Sequence, residues 1–139
     1  MSALSARIKG IAAYLPDQIV TNQSLGEEQP DWDMDRMYDK VGIRQRHVCP
    51  PDQTALDMAE RATQKLLEDM DAPVEWDALL YCTQSPEHFL PSGACLLHHR
   101  LKMGVNVAAW DYNLGCSGYV YGLAMAKSLV ESGAAKNIL

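Results

Sequence analysis

The sequence has 139 residues, the usual size of one domain, with 47% hydrophobic and 22% charged residues. A formal net charge of −6 argues against a general nucleic-acid or anionic-membrane binder, because phosphate affinity depends on clustered Lys and Arg. No apolar run approaches the roughly 18 to 20 residues of a membrane span. The opening MSALSARIKG lacks the apolar core of a signal peptide, so we expect a cytoplasmic protein.

The first third of the chain contains one predicted strand and one predicted helix. RIKGIAAYLP (7–16) carries spaced apolar residues and ends at a proline, so it predicts a strand that enters a turn. Apolar residues at helical spacing predict a short helix around residues 34–41. VGIRQRHV (41–48) is a glycine turn followed by alternating polarity.

The rest of the chain alternates predicted helices and strands. Asp52 is the expected N-cap of an amphipathic helix over 53–69. After it come a strand with its core at 78–82, a helix over 92–104 closed by Gly104, a strand over 105–114, a helix over 117–132 capped by Gly133, and the start of a strand at 136–139. This order predicts an α/β layered fold with a mostly parallel sheet and helices on its faces. Because the final strand is cut short, we expect residues 1–139 to be a truncated domain of a longer protein.

The four cysteines are irregularly spaced and form no CxxC pair: Cys49, Cys82, Cys95 and Cys116. In a reducing compartment they are expected to be free thiols. Cys95 shares the helical spacing of metal ligands with His98 and His99, but no fourth ligand is evident. We therefore expect no metal site and no bound cofactor.

The segment DYNLGCSGYVYGLAMA (111–126) places Cys116 between a buried strand and a glycine-spaced helix. At the positive end of a helix dipole a thiol has a lowered pKa, and the thiolate is the nucleophile. The free N–H groups of a first helical turn can also stabilise an oxyanion. These features indicate a nucleophilic cysteine, and the alternative is a small buried cysteine that packs in a tight turn.

The helix that follows has a stripe of small residues at every fourth position, Gly118, Gly122 and Ala126. Glycine inside a helix costs roughly 1 kcal/mol relative to alanine. We therefore expect another helix to pack closely against this stripe.

Residues 111–139 closely resemble the active-cysteine segment of β-ketoacyl-acyl-carrier-protein synthase III, a family of thiolase-fold condensing enzymes. Three other segments are similar to the family in the same order: the opening strand and turn at 10–25, the Gly-Ile-Arg-x-Arg-His signature within 41–48, and the Pro-Ser-x-x-Cys helix at 88–101. The resemblance covers nearly the whole chain and only the first half of a family member. It implies the N-terminal half of a thiolase-like fold, with the C-terminal half absent.

The resemblance implies an acyltransferase of fatty acid or related biosynthesis. Cys116 would attack an acyl thioester, usually acyl-CoA, and malonyl-acyl-carrier protein would then lose carbon dioxide and attack the acyl group. In the family, the histidine and asparagine that stabilise the enolate lie in the second half, so we expect the chain alone to be inactive in condensation. Members of this fold generally dimerise through the strand before the nucleophile, here 105–112, which implies a homodimer of the full protein.

Two further residues are candidates for substrate binding by the same resemblance. The family often has a tryptophan about six residues before the Gly-Ile-Arg glycine, where it stacks on the adenine of CoA. Trp32 lies ten residues before Gly42, so it is either the equivalent residue after an insertion or a surface-loop aromatic. Leu90 falls where the family has a bulky residue that closes the acyl pocket, often across the dimer interface.

Two other functions stay open at this point. One is a related enzyme on the same scaffold, similar to hydroxymethylglutaryl-CoA synthase or to condensing and acyl-transfer enzymes of secondary metabolism. The other is a non-catalytic acyl-carrier-binding or dimerisation module in which Cys116 only packs.

Overall fold

The structure is a computed structural model that describes residues 5–139. Residues 1–4 lie outside the described residues. They are the first part of MSALSARIKG, the segment in which we expect no signal peptide. The chain divides into two compact units. One is Leu15–Thr54, and the other joins the described residues before Leu15 to Ala55–Leu139.

The unit Leu15–Thr54 is a two-stranded antiparallel sheet with two short helices. Its elements are β1 (Gln18–Thr21), α1 (Asn22–Glu28), α2 (Met34–Val41) and β2 (Gln45–Val48). Gln18 pairs with Val48 at one end of the ladder and Thr21 with Gln45 at the other. The predicted short helix is confirmed as α2, whereas α1 was not predicted.

Side chains cap both helices of this unit. Thr21 and Ser24 form a reciprocal capping box at the start of α1. The Asp33 carboxylate accepts a hydrogen bond from the Arg36 N–H at 2.9 Å and begins α2. Gly42 ends α2 with φ of 70°, a conformation that glycine adopts at little cost.

The predicted strand over 7–16 is wrong. These residues form no strand within the described chain, and the first strand begins at Gln18, after Pro16. Ile8, Ile11 and Tyr14 recur every third residue, so they cannot lie on one face of a strand, which has a period of two. The segment instead packs by side chain against the helix that follows Thr54, where Arg61 donates to the Tyr14 hydroxyl at 2.6 Å.

The second unit contains the alternating elements of the predicted parallel sheet. They are α3 (Ala55–Glu68), β3 (Ala78–Cys82), α4 (Gly93–Arg100), β4 (Ala108–Tyr112) and α5 (Gly118–Glu131). β3 and β4 pair in parallel, with Ala78 opposite Ala108 and Cys82 opposite Tyr112. On the other side of β3, Ile138 forms a parallel bridge with Ala78, as the expected strand at 136–139 requires. The predicted α/β arrangement with a parallel sheet is therefore confirmed.

Two predicted helix ends are wrong. α3 begins at Ala55, so Asp52 lies in the preceding turn and is not its N-cap. α4 ends at Arg100, and the chain leaves it through Lys102, whose φ is 53°, before it reaches Gly104. By contrast, Gly133 follows α5 with φ of 77°, as the C-cap prediction requires.

The core of this unit lies where α3 and α4 cover β3. Its buried residues are Leu56, Leu79, Tyr81, Ala94 and Leu97. Above the core, Arg100 of α4 contacts Asp57 and Glu60 of α3 at 2.7 and 3.3 Å. Among residues 5–139, none of the helices has the length and apolar character that a bilayer crossing requires.

Candidate functional site

Cys116 lies in a tight turn at the carboxyl end of β4. The strand ends at Tyr112, the turn passes through Gly115, and α5 begins at Gly118. The Cys116 side chain is exposed within the described residues, whereas the packing alternative expects a buried one. The sequence-predicted order of strand, cysteine and helix is the order observed.

The N-terminus of α5 has amide groups that the chain does not cap. Ser117 occupies the N-cap position and makes no side-chain cap hydrogen bond. The Gly118 N–H donates to the Gly115 carbonyl at 2.8 Å, and the Tyr121 N–H donates to the Ser117 carbonyl at 3.1 Å. The first turn of α5 also has no acidic side chain. The backbone N–H groups between Gly118 and Tyr121 are therefore available to donate hydrogen bonds to an anion next to Cys116.

Three side chains from the strand ends support this turn. The Cys82 thiol donates to the Leu114 carbonyl at 3.6 Å, and the Tyr112 hydroxyl donates to the Gly118 carbonyl at 2.9 Å. Gln84 fills the space beside Gly115, where an added Cβ would lie 2.6 Å from its Nε2 atom. Both ends of the turn are thus held by hydrogen bonds to neighbouring parallel strands.

Burial raises the pKa of Tyr112, and the neighbouring Cys82 adds to this rise. Desolvation disfavours the charged phenolate, so the hydroxyl stays protonated and remains a donor at neutral pH. Sequence reasoning missed Tyr112 and treated Cys82 only as a strand-core thiol. The pairing of a tyrosine at the strand end with glycines on the next helix is the signal that was available.

The small-residue stripe of α5 packs against strands and not against another helix. A Cβ at Gly118 would overlap the Cys82 sulfur, and a Cβ at Gly122 would overlap the Tyr112 hydroxyl. The expectation of a second helix on this stripe is therefore wrong, because β3 and β4 side chains fill it. Other residues of the same helix are exposed, among them Tyr119, Val120 and Tyr121.

A second cysteine lies close to a helix start, on α4. The Asp111 carboxylate of β4 accepts hydrogen bonds from the N–H groups of Gly93 and Ala94, at 2.7 and 2.9 Å. Cys95 follows them and is exposed, with the Ser92 hydroxyl donating to its sulfur at 3.4 Å. The amides at the start of α4 are therefore already paired with a carboxylate of the chain.

Cys95, His98 and His99 have the helical spacing of metal ligands on α4. Within residues 5–139, no three His, Cys, Asp or Glu side chains converge on a position for a metal ion. His98 instead lies with its Nε2 atom 3.0 Å from the Gly104 carbonyl oxygen.

Trp32 and Leu90 are both on exposed loops. Trp32 lies between α1 and α2 with 51% of its surface exposed, and α2 occupies most of its ten-residue interval to Gly42. Leu90 lies in the loop between β3 and α4 with 86% exposure, next to Phe89 at 98%. The roles proposed for both residues stay predictions.

Comparison with known proteins finds relatives that are named as synthases of the acyl-carrier-protein type. The family model for 3-oxoacyl-[acyl-carrier-protein] synthase III matches residues 110–139, the segment that contains Cys116. A β-ketoacyl-[acyl-carrier-protein] synthase III from Caldanaerobacter subterraneus is 36% identical over 137 residues, which are 98% of this chain and 41% of that protein. The chain thus spans about two-fifths of the length of the curated relatives that it matches.

Solved structures agree with the sequence comparison. A crystal structure of 3-oxoacyl-(acyl-carrier-protein) synthase III matches with a TM-score of 0.88 and 45% identity, over 97% of this chain and 40% of that chain. A 3-oxoacyl-(acyl-carrier protein) synthase from Burkholderia xenovorans LB400 matches with a TM-score of 0.87 and 30% identity, over 99% of this chain and 42% of that chain. The fold is therefore thiolase-like. Over nearly its whole length, the chain is similar to part of the β-ketoacyl-acyl-carrier-protein synthase III proteins.

Proposed function

We propose that this chain carries the nucleophile of a β-ketoacyl-acyl-carrier-protein synthase III-type acyltransferase, with Cys116 as the acyl acceptor. One observation supports this most strongly. An exposed cysteine precedes the N-cap residue of a helix whose first amides have no side-chain cap, in the segment that the family model matches. The first amides of α4, near Cys95, are not free in this way, because they donate hydrogen bonds to the Asp111 carboxylate.

The first half-reaction is acyl transfer from an acyl thioester, which we propose is acyl-CoA. The Cys116 thiolate attacks the thioester carbonyl and forms an S–C bond, and the carbon–sulfur bond to CoA breaks. The CoA thiolate leaves and takes up a proton from solvent. Amides of the first turn of α5 stabilise the negative oxygen of the tetrahedral intermediate. This covalent capture divides a difficult transfer into two easier steps.

The second half-reaction is a decarboxylative Claisen condensation. Malonyl-acyl-carrier protein loses carbon dioxide, its carbanion attacks the acyl-Cys116 carbonyl, and the cysteine sulfur leaves as a thiolate. By the family resemblance, the histidine and asparagine that stabilise the enolate belong to the second half. We therefore propose that the 139-residue chain alone does not complete the condensation.

The test of the nucleophile is acyl capture by the full-length protein. Incubation with acetyl-, butyryl- and octanoyl-CoA, followed by peptide mass spectrometry, is expected to show an acyl group on the Cys116 peptide. Cys116→Ala should abolish the adduct, and the matched variant Cys95→Ala should leave it unchanged. Acyl transfer to another cysteine, or none with any of the three donors, would contradict the proposal.

The two alternatives predict different outcomes in the same assay. A non-catalytic acyl-carrier-binding or dimerisation module would not form the adduct, and the exposure of Cys116 gives it little packing role. A related condensing or acyl-transfer enzyme on this scaffold would form the adduct. It would then pass the acyl group to an acceptor other than malonyl-acyl-carrier protein, which product analysis distinguishes.

Two exposed side chains are proposed to contact the acyl-CoA donor. We assign Trp32 to stacking on the adenine and Leu90 to closure of the acyl pocket. Trp32→Ala is expected to raise the KM for acyl-CoA about tenfold at nearly constant kcat, the size of one aromatic contact. Leu90→Ala is expected to shift the preferred acyl chain to a longer one. Unchanged KM and chain preference would reject these assignments.

The full protein is proposed to be a cytoplasmic homodimer with β4 at its seam. Within residues 5–139, β4 pairs on one side only, with β3, so its other edge offers N–H and C=O groups to a second copy. Analytical ultracentrifugation at micromolar concentration should give twice the mass of one chain. A single species of monomer mass would contradict the dimer.

A further inference from the structure

Tyr112 makes an unusual contact with the helix that follows Cys116. Its hydroxyl donates to the carbonyl of Gly118, the first residue of α5, at 2.9 Å. In an α-helix that carbonyl also accepts the N–H of the residue four positions later, here Gly122. A carbonyl oxygen has two lone pairs, so both bonds can be made at once.

Gly122 provides the space for this contact. A Cβ at position 122 would overlap the Tyr112 hydroxyl oxygen, whereas it would lie 3.4 Å from the ring carbon that bears the hydroxyl. The added Cβ would therefore overlap only the hydroxyl oxygen of Tyr112. Glycine at 122 costs helix stability relative to alanine, and here it admits the hydroxyl to the first turn of α5.

The bond reaches the amides next to the cysteine through a single peptide group. The Gly118 carbonyl and the Tyr119 N–H belong to the same peptide unit. A hydrogen bond to the carbonyl polarises that unit and strengthens its N–H as a donor. The Tyr119 N–H is one of the uncapped amides of α5, which point back toward the turn that holds Cys116.

We propose that Tyr112 is a positioning residue for Cys116, holding the first turn of α5 in place and strengthening its amides through the Gly118 carbonyl, with Gly122 as the required partner. This inference rests on the proposed function of Cys116. Tyr112 does not touch the reacting atoms, so it should change the rate of acyl capture and not the binding of the donor.

The experiment measures single-turnover acylation of Cys116 in the full-length protein across a range of acetyl-CoA concentrations. Tyr112→Phe removes only the hydroxyl and should lower the saturating rate about three- to tenfold, the factor that one hydrogen bond of ordinary net strength is worth. The half-saturating acetyl-CoA concentration should not change. Tyr121→Phe, an exposed tyrosine on the same helix, is the matched control and should acylate at the wild-type rate.

Gly122→Ala provides the coupling test. In the wild-type background its methyl group should displace the hydroxyl and lower the saturating rate by a similar factor. In the Tyr112→Phe background the oxygen is gone, so the methyl group should cause no further loss. If Tyr112 acted only on overall stability, the acylation rates would follow the stabilities of the four proteins. Their denaturant midpoints are therefore measured as well.

The outcomes separate the inference from the function on which it rests. If wild-type Cys116 is acylated and Tyr112→Phe is equally fast, or if the two losses multiply in the double variant, the positioning role is wrong. The positioning role would also be wrong if Tyr112→Phe raised the half-saturating acetyl-CoA concentration and left the saturating rate unchanged. If acetyl-, butyryl- and octanoyl-CoA all fail to acylate wild-type Cys116, both the proposed function and the inference fail.

Discussion

The starts of α4 and α5 have similar sequences but differ in whether a side chain accepts hydrogen bonds from their first amides. Each helix follows a strand of the parallel sheet, each has a serine N-cap without a side-chain cap bond, and each has an exposed cysteine nearby. At α4, the Asp111 carboxylate accepts from the Gly93 and Ala94 amides. At α5, the first turn has no acidic side chain and its amides stay available.

The difference separates two cysteines that composition alone cannot tell apart. The amide dipoles at a helix start stabilise an anion. A carboxylate that already accepts from these amides reduces the stabilisation that they can give to a thiolate. Cys95 therefore stands beside a satisfied helix start, and Cys116 stands beside an open one. The two helix starts thus differ in whether a carboxylate of the chain accepts hydrogen bonds from the first amides.

A side chain at position 118 would push α5 away from the sheet. Gly118→Ala would place a methyl group on the Cys82 sulfur and within 3.4 Å of the Leu114 side chain. We expect a loss of about 1 to 3 kcal/mol in the free energy of unfolding, the usual cost of overpacking, together with slower acylation of Cys116. Urea unfolding of the full-length variant measures the first effect and acyl capture the second.

A second substitution tests the cause of the Gly118→Ala loss. Adding Cys82→Ala removes the sulfur and should restore most of the lost stability. Equal stability of Gly118→Ala and wild type would show that the close approach of helix and strand is not required.

Without the Asp111 charge, the start of α4 would resemble that of α5 in having no carboxylate beside its first amides. Asp111→Asn keeps one acceptor oxygen but turns an amide donor toward the other N–H group. We expect a loss of about 1 to 2 kcal/mol in the free energy of unfolding, the range of a lost cap, because Gly93 and Ala94 are buried. Iodoacetamide should also modify Cys95 about two- to threefold faster, since the dipole of α4 is no longer neutralised.

Asp69→Asn is the control for Asp111→Asn because this carboxylate is exposed at the end of α3. It should change neither the unfolding free energy nor the reactivity of Cys95. If the two variants behave alike, the Asp111 carboxylate does not anchor α4.

A third pair of amides, at the opposite end of the sheet, also donates to a carboxylate of the chain. The Asp77 carboxylate accepts from the N–H groups of Lys136 and Asn137 at 2.7 and 2.9 Å. These backbone hydrogen bonds lower the pKa of Asp77. A lowered folded-state pKa stabilises the fold above the unfolded value of about 3.9 and loses that contribution as pH falls through the folded value.

Asp77→Asn should therefore be less stable than wild type at pH 7, and the difference should shrink in acid. Unfolding midpoints of both proteins between pH 7 and pH 3 measure it. A difference that stays constant over this range would show that the Asp77 carboxylate does not hold the strand at 136–139.

The sequence predicted the parts of this fold that depend on local pattern. The continuous apolar run at 78–82 and the amphipathic periodicity of 55–68 gave β3 and α3 with small errors at the ends. The strand over 7–16 failed because its apolar residues have a period of three, which fits neither element well. The position of Cys116 followed from the order of strand, glycine and helix.

The missed features depend on residues that are distant in sequence or on a single side-chain atom. Asp111 reaches amides 17 and 18 positions earlier in the chain, so no local window contains that cap. The glycine stripe of α5 correctly indicated a close approach, but it did not indicate whether a helix or a strand approaches. In the structure, Cys82 and Tyr112 approach the stripe at Gly118 and Gly122.

If the uncapped amides at the start of α5 make Cys116 a nucleophile, its thiol should react faster than that of Cys95, beside which Asp111 already accepts from the first amides. Limiting iodoacetamide is added to the wild-type full-length protein at neutral pH, and the alkylation rates of the Cys116 and Cys95 peptides are followed by mass spectrometry. We expect Cys116 to react at least about tenfold faster, the range of a thiol activated at a helix N-terminus. Equal rates, or faster alkylation of Cys95, would contradict the account.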